Sequence, residues 1–125
     1  LAAGIRYRIE QGIEKLQKRE RDLTRRFYEQ VKEIPGVIVY GDPAAECHAP
    51  IVSLNLAGED SARVADALWE EYGICVRAGA HCAPLMHRAL GTVDQGVVRF
   101  SFSHFNTEEE IDRAAEAVRA LAEEA

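Results

Sequence analysis

A chain of 125 residues, 47% apolar and 29% charged, is long enough for one domain. It can bury roughly two-thirds of its unfolded surface without disulfide or metal staples. The net charge of -6 argues against a general nucleic-acid binder, and no apolar run approaches membrane-spanning length.

The chain opens on Leu1 with no visible signal peptide and enters a helical pattern at once, so it reads as a piece of a longer protein. Ile5, Ile9, Ile13, Leu16, Leu23, Phe27, Val31 and Ile34 recur at steps of three, four or seven. That spacing predicts one long amphipathic helix over about residues 4–33, ended by Pro35-Gly36. Such a helix is roughly 45 Å long, more than a small domain needs, so part of it can serve a neighbour outside this chain. Its arginines are interleaved with glutamates, as on a solvated face.

Val37–Tyr40 reads as a short strand and Gly41–Pro50 as a polar loop carrying Cys47 and His48. Ile51–Leu56 is a second strand, with Val52, Leu54 and Leu56 on one face and Ser53 and Asn55 on the other. Asp60 or Ser61 caps a helix that runs to Tyr72 and closes at Gly73. Ile74–Arg77 is a predicted third strand. Pro84 suits the first turn of a short helix ending at Gly91. Val97–Ser103 alternates as a fourth strand, setting Val98, Phe100 and Phe102 against Val97, Arg99, Ser101 and Ser103. Thr107 and Glu110 form a capping box for a last helix that buries Ile111, Ala114, Ala115, Val118 and Leu121.

The predicted fold class is therefore α/β (α+β), with a largely antiparallel sheet of about four strands and helices on one face. Three cysteines (Cys47, Cys75 and Cys82) without a C-x-x-C pair speak against a secreted disulfide framework and for reduced thiols in the cytoplasm. No pair among His48, Cys47, His81, Cys82 and His87 has zinc-finger or zinc-ribbon spacing, so no metal site is expected.

The most informative stretch is Val76-Arg77-Ala78-Gly79-Ala80-His81-Cys82-Ala83-Pro84. Gly79 and the small residues around it let the backbone approach a ligand. Cys82 stands just before a helix start with His81 beside it, surroundings that favour a thiolate nucleophile. The same spacing also suits a packed, inert cysteine. Arg99, in mid-strand on the face of Ser101 and Ser103, can grip a carboxylate with both arms or stand as an ordinary surface arginine. Arg77 either binds an anion or braces the loop.

Arg77-Ala78-Gly79-Ala80-His81-Cys82-Ala83-Pro84, followed by Val98-Arg99-Phe100-Ser101 and Phe105-Asn106-Thr107-Glu108-Glu109-Glu110-Ile111-Asp112, resembles the C-terminal part of cysteine desulfurases. More broadly it is similar to the class V aminotransferase-like enzymes. The resemblance covers nearly the whole chain, including Ala3-Gly4-Ile5-Arg6 in the opening helix. It implies a C-terminal small domain of a homodimeric fold-type I enzyme that uses pyridoxal phosphate. The cofactor's Schiff-base lysine would lie in a missing N-terminal domain, joined through the helix of residues 4–33.

By match to the motif, Cys82 is the nucleophile that takes sulfur from L-cysteine as a persulfide and leaves alanine. Arg99 matches the arginine that holds the substrate carboxylate, Arg77 a loop arginine nearby, and His81 and Gly79 support the loop. The resemblance leaves selenocysteine open as a substrate and allows a sulfur-acceptor protein as partner. Two departures, Ala80 where many members carry a second histidine and Pro84 only two residues after the cysteine, point to a divergent subgroup. The only lysines are Lys15, Lys18 and Lys32, all in the first helix, so this chain alone is expected to be inactive. Two other readings are a class V aminotransferase or other lyase in which Cys82 is incidental, and a non-catalytic α/β binding module.

Overall fold

The computed structural model describes residues 1–125. Five helices and three strands follow in the order α1 (Ala2–Gln11), α2 (Ile13–Val31), β1 (Val37–Tyr40), β2 (Ile51–Leu56), α3 (Ser61–Tyr72), α4 (Pro84–Leu90), β3 (Val98–Ser101) and α5 (Glu108–Glu124). The strands form one antiparallel sheet in the order β1-β2-β3.

Alternation along the strands sets the core. Val52, Leu54 and Leu56 of β2, with Val98 and Phe100 of β3, are buried against α2, α3 and α5. Phe27 of α2 is fully buried at 0% exposure, with ring centroids 4.7 Å from Phe100 and 5.2 Å from Phe102. Burial of one such ring contributes about 1.5–3 kcal/mol, before edge-to-face attraction is counted. Across the surface, Arg26 of α2 grips Asp112 of α5 with two bonds of 2.8 and 2.9 Å, and Gln30 adds a third at 2.8 Å.

Three sequence expectations need correction. The predicted helix over 4–33 is broken at Gly12, whose φ of 87° and ψ of 110° lie outside the helical region. Helix α1 buries none of its residues, and Ile5, Ile9 and Ile13 stand exposed. The sheet has three strands, not four: Ile74–Arg77 is an extended segment that meets β3 only at the Arg77↔Arg99 bridge. The strand predicted over Val97–Ser103 is observed over Val98–Ser101.

Helix termini follow the sequence closely. The Asp60 carboxylate, not Ser61, accepts the N–H groups of Ala62 and Arg63 at the start of α3. Thr107 caps α5 through the N–H of Glu110, but the Glu110 carboxylate turns to the Asn106 amide at 2.7 Å, so the capping box is half made. The three long helices lie on one face of the sheet. The opposite face, which carries Ser53, Asn55 and Arg99, is overlain by the loop after Arg77 and by α4.

Candidate active site

Sheet register assembles the site. Tyr40 pairs with Ser53, Ser53 with Arg99, and Arg99 with Arg77, so four polar residues form one row across the sheet. Directly opposed residues project to the same face. Arg77 and Arg99 exchange both backbone bonds, at 3.1 and 2.8 Å, which places two guanidinium-bearing residues side by side. Neither forms a salt bridge, and Arg99 Nε is buried without a hydrogen-bond partner. Like charges directly opposed on neighbouring strands repel, and an anion between them would relieve the repulsion.

Beyond Arg77 the chain makes a tight turn. Ala83 N–H donates to Ala80 C=O at 2.9 Å, and the two central residues, His81 and Cys82, have φ of 51° and 59°. Positive φ at both central positions is the signature of a type I′ turn, which glycine and asparagine ordinarily occupy. His81 Nε2 lies 2.9 Å from Arg77 C=O. A carbonyl only accepts, so Nε2 carries the proton and Nδ1 is left as acceptor. Burial pushes the His81 pKa down; the bond to Arg77 opposes this, and the charges of Arg99, Arg77 and His87 add to the lowering. Cys82 is exposed, and Arg77 Nη2 donates toward its sulfur at 3.7 Å. A cationic donor therefore faces the candidate nucleophile.

A cavity of about 500 Å³ opens over the polar row. Tyr40, Ser53 and Arg99 form its floor, while His81, Ala83, Met86 and His87 wall one side and His48 another. The two neighbours of Cys82 thus line the cavity. His87 is buried, with Nδ1 2.8 Å from Thr92 Oγ1 and its ring edge-on to His81 at 5.8 Å. Of the five residues singled out in the sequence, His81 and Arg99 line the cavity, Arg77 pairs with Arg99 and faces Cys82, and Cys82 and Gly79 lie on the adjoining turn outside the lining. Cys47 is exposed on the β1–β2 loop, and Cys75 lines a separate hollow with Tyr72 and Arg113. Sequence reasoning missed Tyr40, Ser53 and Met86 as cavity residues and weighed His48 only as a metal ligand. The alternation of β2 signalled Ser53, whereas Tyr40 needed the β1–β2 register. No group of three or more His, Cys, Asp or Glu side chains is arranged to hold a metal ion. No helix is long and apolar enough to cross a membrane.

Residues 1–114 match the aminotransferase class-V family. The chain belongs to that family. It is 40% identical over 124 residues to a probable cysteine desulfurase of Methanothermobacter thermautotrophicus, covering 98% of this chain and 30% of that protein. It is 35% identical over 119 residues to a probable cysteine desulfurase of Staphylococcus epidermidis, covering 95% of this chain and 28% of that protein. The structure superposes on the apo cysteine desulfurase of Thermococcus onnurineus with a TM-score of 0.90 at 34% identity, over 99% of this chain and 30% of the other. A decarboxylase of Sulfurospirillum multivorans superposes less well, with a TM-score of 0.59 at 26% identity over 81% of this chain and 24% of the other. The class-V chain thus spans about 30% of the length of the first relatives it matches.

Proposed function

We propose that this chain is the C-terminal, substrate-side domain of a cysteine desulfurase-like enzyme. The observation that carries the reading is the pair of unneutralised arginines, Arg77 and Arg99, with the exposed Cys82 thiol beside Arg77. In this reading the Arg99 guanidinium holds the α-carboxylate of L-cysteine, and the cavity over Ser53 and Tyr40 receives the rest of the substrate. The Cys82 thiolate attacks the substrate sulfur. An S–S bond forms and the Cβ–S bond breaks. The sulfur stays on Cys82 as the outer atom of a persulfide, and the electron pair passes to the substrate carbon. That carbon is reduced and, once protonated, leaves as alanine.

Pyridoxal phosphate, the cofactor that the family resemblance implies, supplies the electron sink for such chemistry. The residues of this chain do not fit its Schiff-base site. Lys18 is paired with Asp22 and Lys32 with Glu29, Lys15 is exposed on the same helix, and none of the three lines the cavity. The cofactor is therefore assigned to the remainder of a parent polypeptide, homodimeric and cytoplasmic in this reading. The three unpaired cysteines suit a reducing compartment. The exposed position of Cys82 suits delivery of the persulfide sulfur to an acceptor protein, and selenocysteine meets the same two groups as cysteine.

The test is Cys82→Ser in the parent enzyme. Sulfide release from cysteine falls to background, and the persulfide detectable on the wild-type protein disappears. Unchanged sulfide release removes the nucleophile assignment. A second reading, in which Cys82 is incidental to a different reaction of the same fold, is favoured by the decarboxylase among the structural neighbours. Decarboxylation or keto-acid formation without sulfide release would select it.

A further inference from the structure

We propose that Ser61 and Asn55, two buried polar side chains outside the cavity, are positioning residues that set where the Cys82 turn stands relative to Arg99. The inference rests on the desulfurase reading for its kinetic consequence, but its geometry stands apart from it. Ser61 is 3% exposed and opens α3, yet Asp60 has already capped that helix. The Ser61 hydroxyl instead accepts the N–H of Gly79 at 3.3 Å, across 18 residues of sequence. The Gly79 carbonyl accepts from Val97 N–H at 3.2 Å. Gly79 is thus held at both of its polar groups, three residues before Cys82.

Asn55 is 1% exposed on β2 and works from beneath. Its Nδ2 donates to the Gly96 carbonyl at 2.7 Å and to the Tyr40 hydroxyl on the cavity floor at 3.3 Å. Gly96, at φ 68°, is the spacer between the two residues. A Cβ there would lie 2.5 Å from Ser61 Oγ and 2.8 Å from Gly79 Cα. Only bare backbone fits at Gly96 against Ser61 and Gly79. The contact passes from β2 through Gly96 to Gly79 and so to the Ala80–Ala83 turn. Arg99 is also held on β3 by its pairing with Ser53 of β2, which does not pass through the clasp. Loosening the clasp therefore moves the thiol while leaving the carboxylate partner in place.

Displacement of a reacting atom by about 1 Å costs up to about a hundredfold in rate. In the parent enzyme, Ser61→Ala is expected to lower kcat about tenfold while KM for cysteine stays within about twofold. Asn55→Ala, the second variant, acts from the other side of Gly96. The double variant should lose less than the product of the two single effects, because both act through one contact. The readout that does not depend on turnover is alkylation by iodoacetamide. Cys82, already exposed, should react at least about threefold more slowly in either variant as its thiol moves off the Arg77 guanidinium, with Cys47 and Cys75 unchanged as internal controls.

An equal change at all three cysteines means a general effect on the fold and overturns the proposal, as does unaltered or faster Cys82 reactivity in a folded variant. A parent enzyme that releases no sulfide overturns the desulfurase reading alone. Selective slowing at Cys82 would then still support the clasp.

Discussion

Replacing Arg99 separates a ligand-binding arginine from a structural one. In the chain as it stands, Arg99 contributes its backbone to the Arg77 pair, and its Nε is buried without a partner. Arg26 is the contrast, with two bonds to Asp112 and a second carboxylate, Glu108, 3.5 Å away. Removing the Arg99 side chain breaks no ion pair and relieves repulsion from Arg77, so Arg99→Ala should leave thermal stability unchanged or slightly raised. Its effect on substrate should be large. Charge-assisted bonds contribute about 1.5–3 kcal/mol. Loss of a two-armed grip worth about 2–3 kcal/mol raises KM for cysteine about 30- to 150-fold. Arg99→Lys keeps the charge and loses the planar fork, so an intermediate increase of about tenfold is expected. Steady-state kinetics in the parent enzyme, with thermal unfolding measured in parallel, checks both halves. An unchanged KM with a lowered melting temperature would refute the reasoning and make Arg99 a structural residue.

Hydrogen bonds from Arg26 and Gln30 hold Asp112 at about 2, below its ordinary 3.8, so the unfolded chain binds its proton first as pH falls. The Asp112 contribution is complete above about 3.8 and lost as pH falls through about 2; Asp112→Asn should flatten the acid limb of a stability-pH curve over that window, and an unaltered limb would count against the pairing. His81, lowered from 6.5 chiefly by burial, works in the same direction. The stability linked to its buried neutral ring is full above about 6.5 and declines as pH falls through the lower folded value, and an imidazole NMR titration with a midpoint at or above 6.5 would contradict it.

Local signals carried most of the fold, and register carried what they missed. Alternation in Ile51–Leu56 and Val98–Phe102 marked the core faces because each strand has one buried side and one polar side. Helix α3 was legible at both ends, through Asp60 and Gly73. The break at Gly12 was not legible. Apolar spacing runs through it in phase, from Ile9 to Ile13 to Leu16, and glycine inside a helix costs only about 1 kcal/mol. Ile74–Arg77 has the alternation of a strand, and Ile74 and Val76 do pack on the core. It leaves α3 at Gly73 and converges on β3 only at Arg77, a matter of path and not of propensity. In the site, Cys82, His81, Gly79 and Arg77 share one loop and could be read together. Tyr40 and Ser53 join them only through cross-strand pairing, and the sequence offers Ser61 only as an alternative cap to Asp60 because its contact with Gly79 is tertiary.

The distribution of strain ties these observations together. Two successive non-glycine residues at positive φ cost about 1–3 kcal/mol each, and in this chain they are His81 and Cys82. Such a turn persists only where its surroundings over-determine it. Here the Arg77–Arg99 pair and the Val97–Gly79 bond hold the entry, the His81 imidazole crosses back to Arg77, and Pro84 starts α4 at the exit. A loop whose only task was to connect β-edge to helix could use glycine at both positions and shed the strain. Keeping histidine and cysteine there aims a thiol at solvent beside a guanidinium and an imidazole at the cavity. The apolar face of the sheet supplies the stability that lets its polar face hold two opposed cations and a strained turn, and those features converge on the sulfur of Cys82.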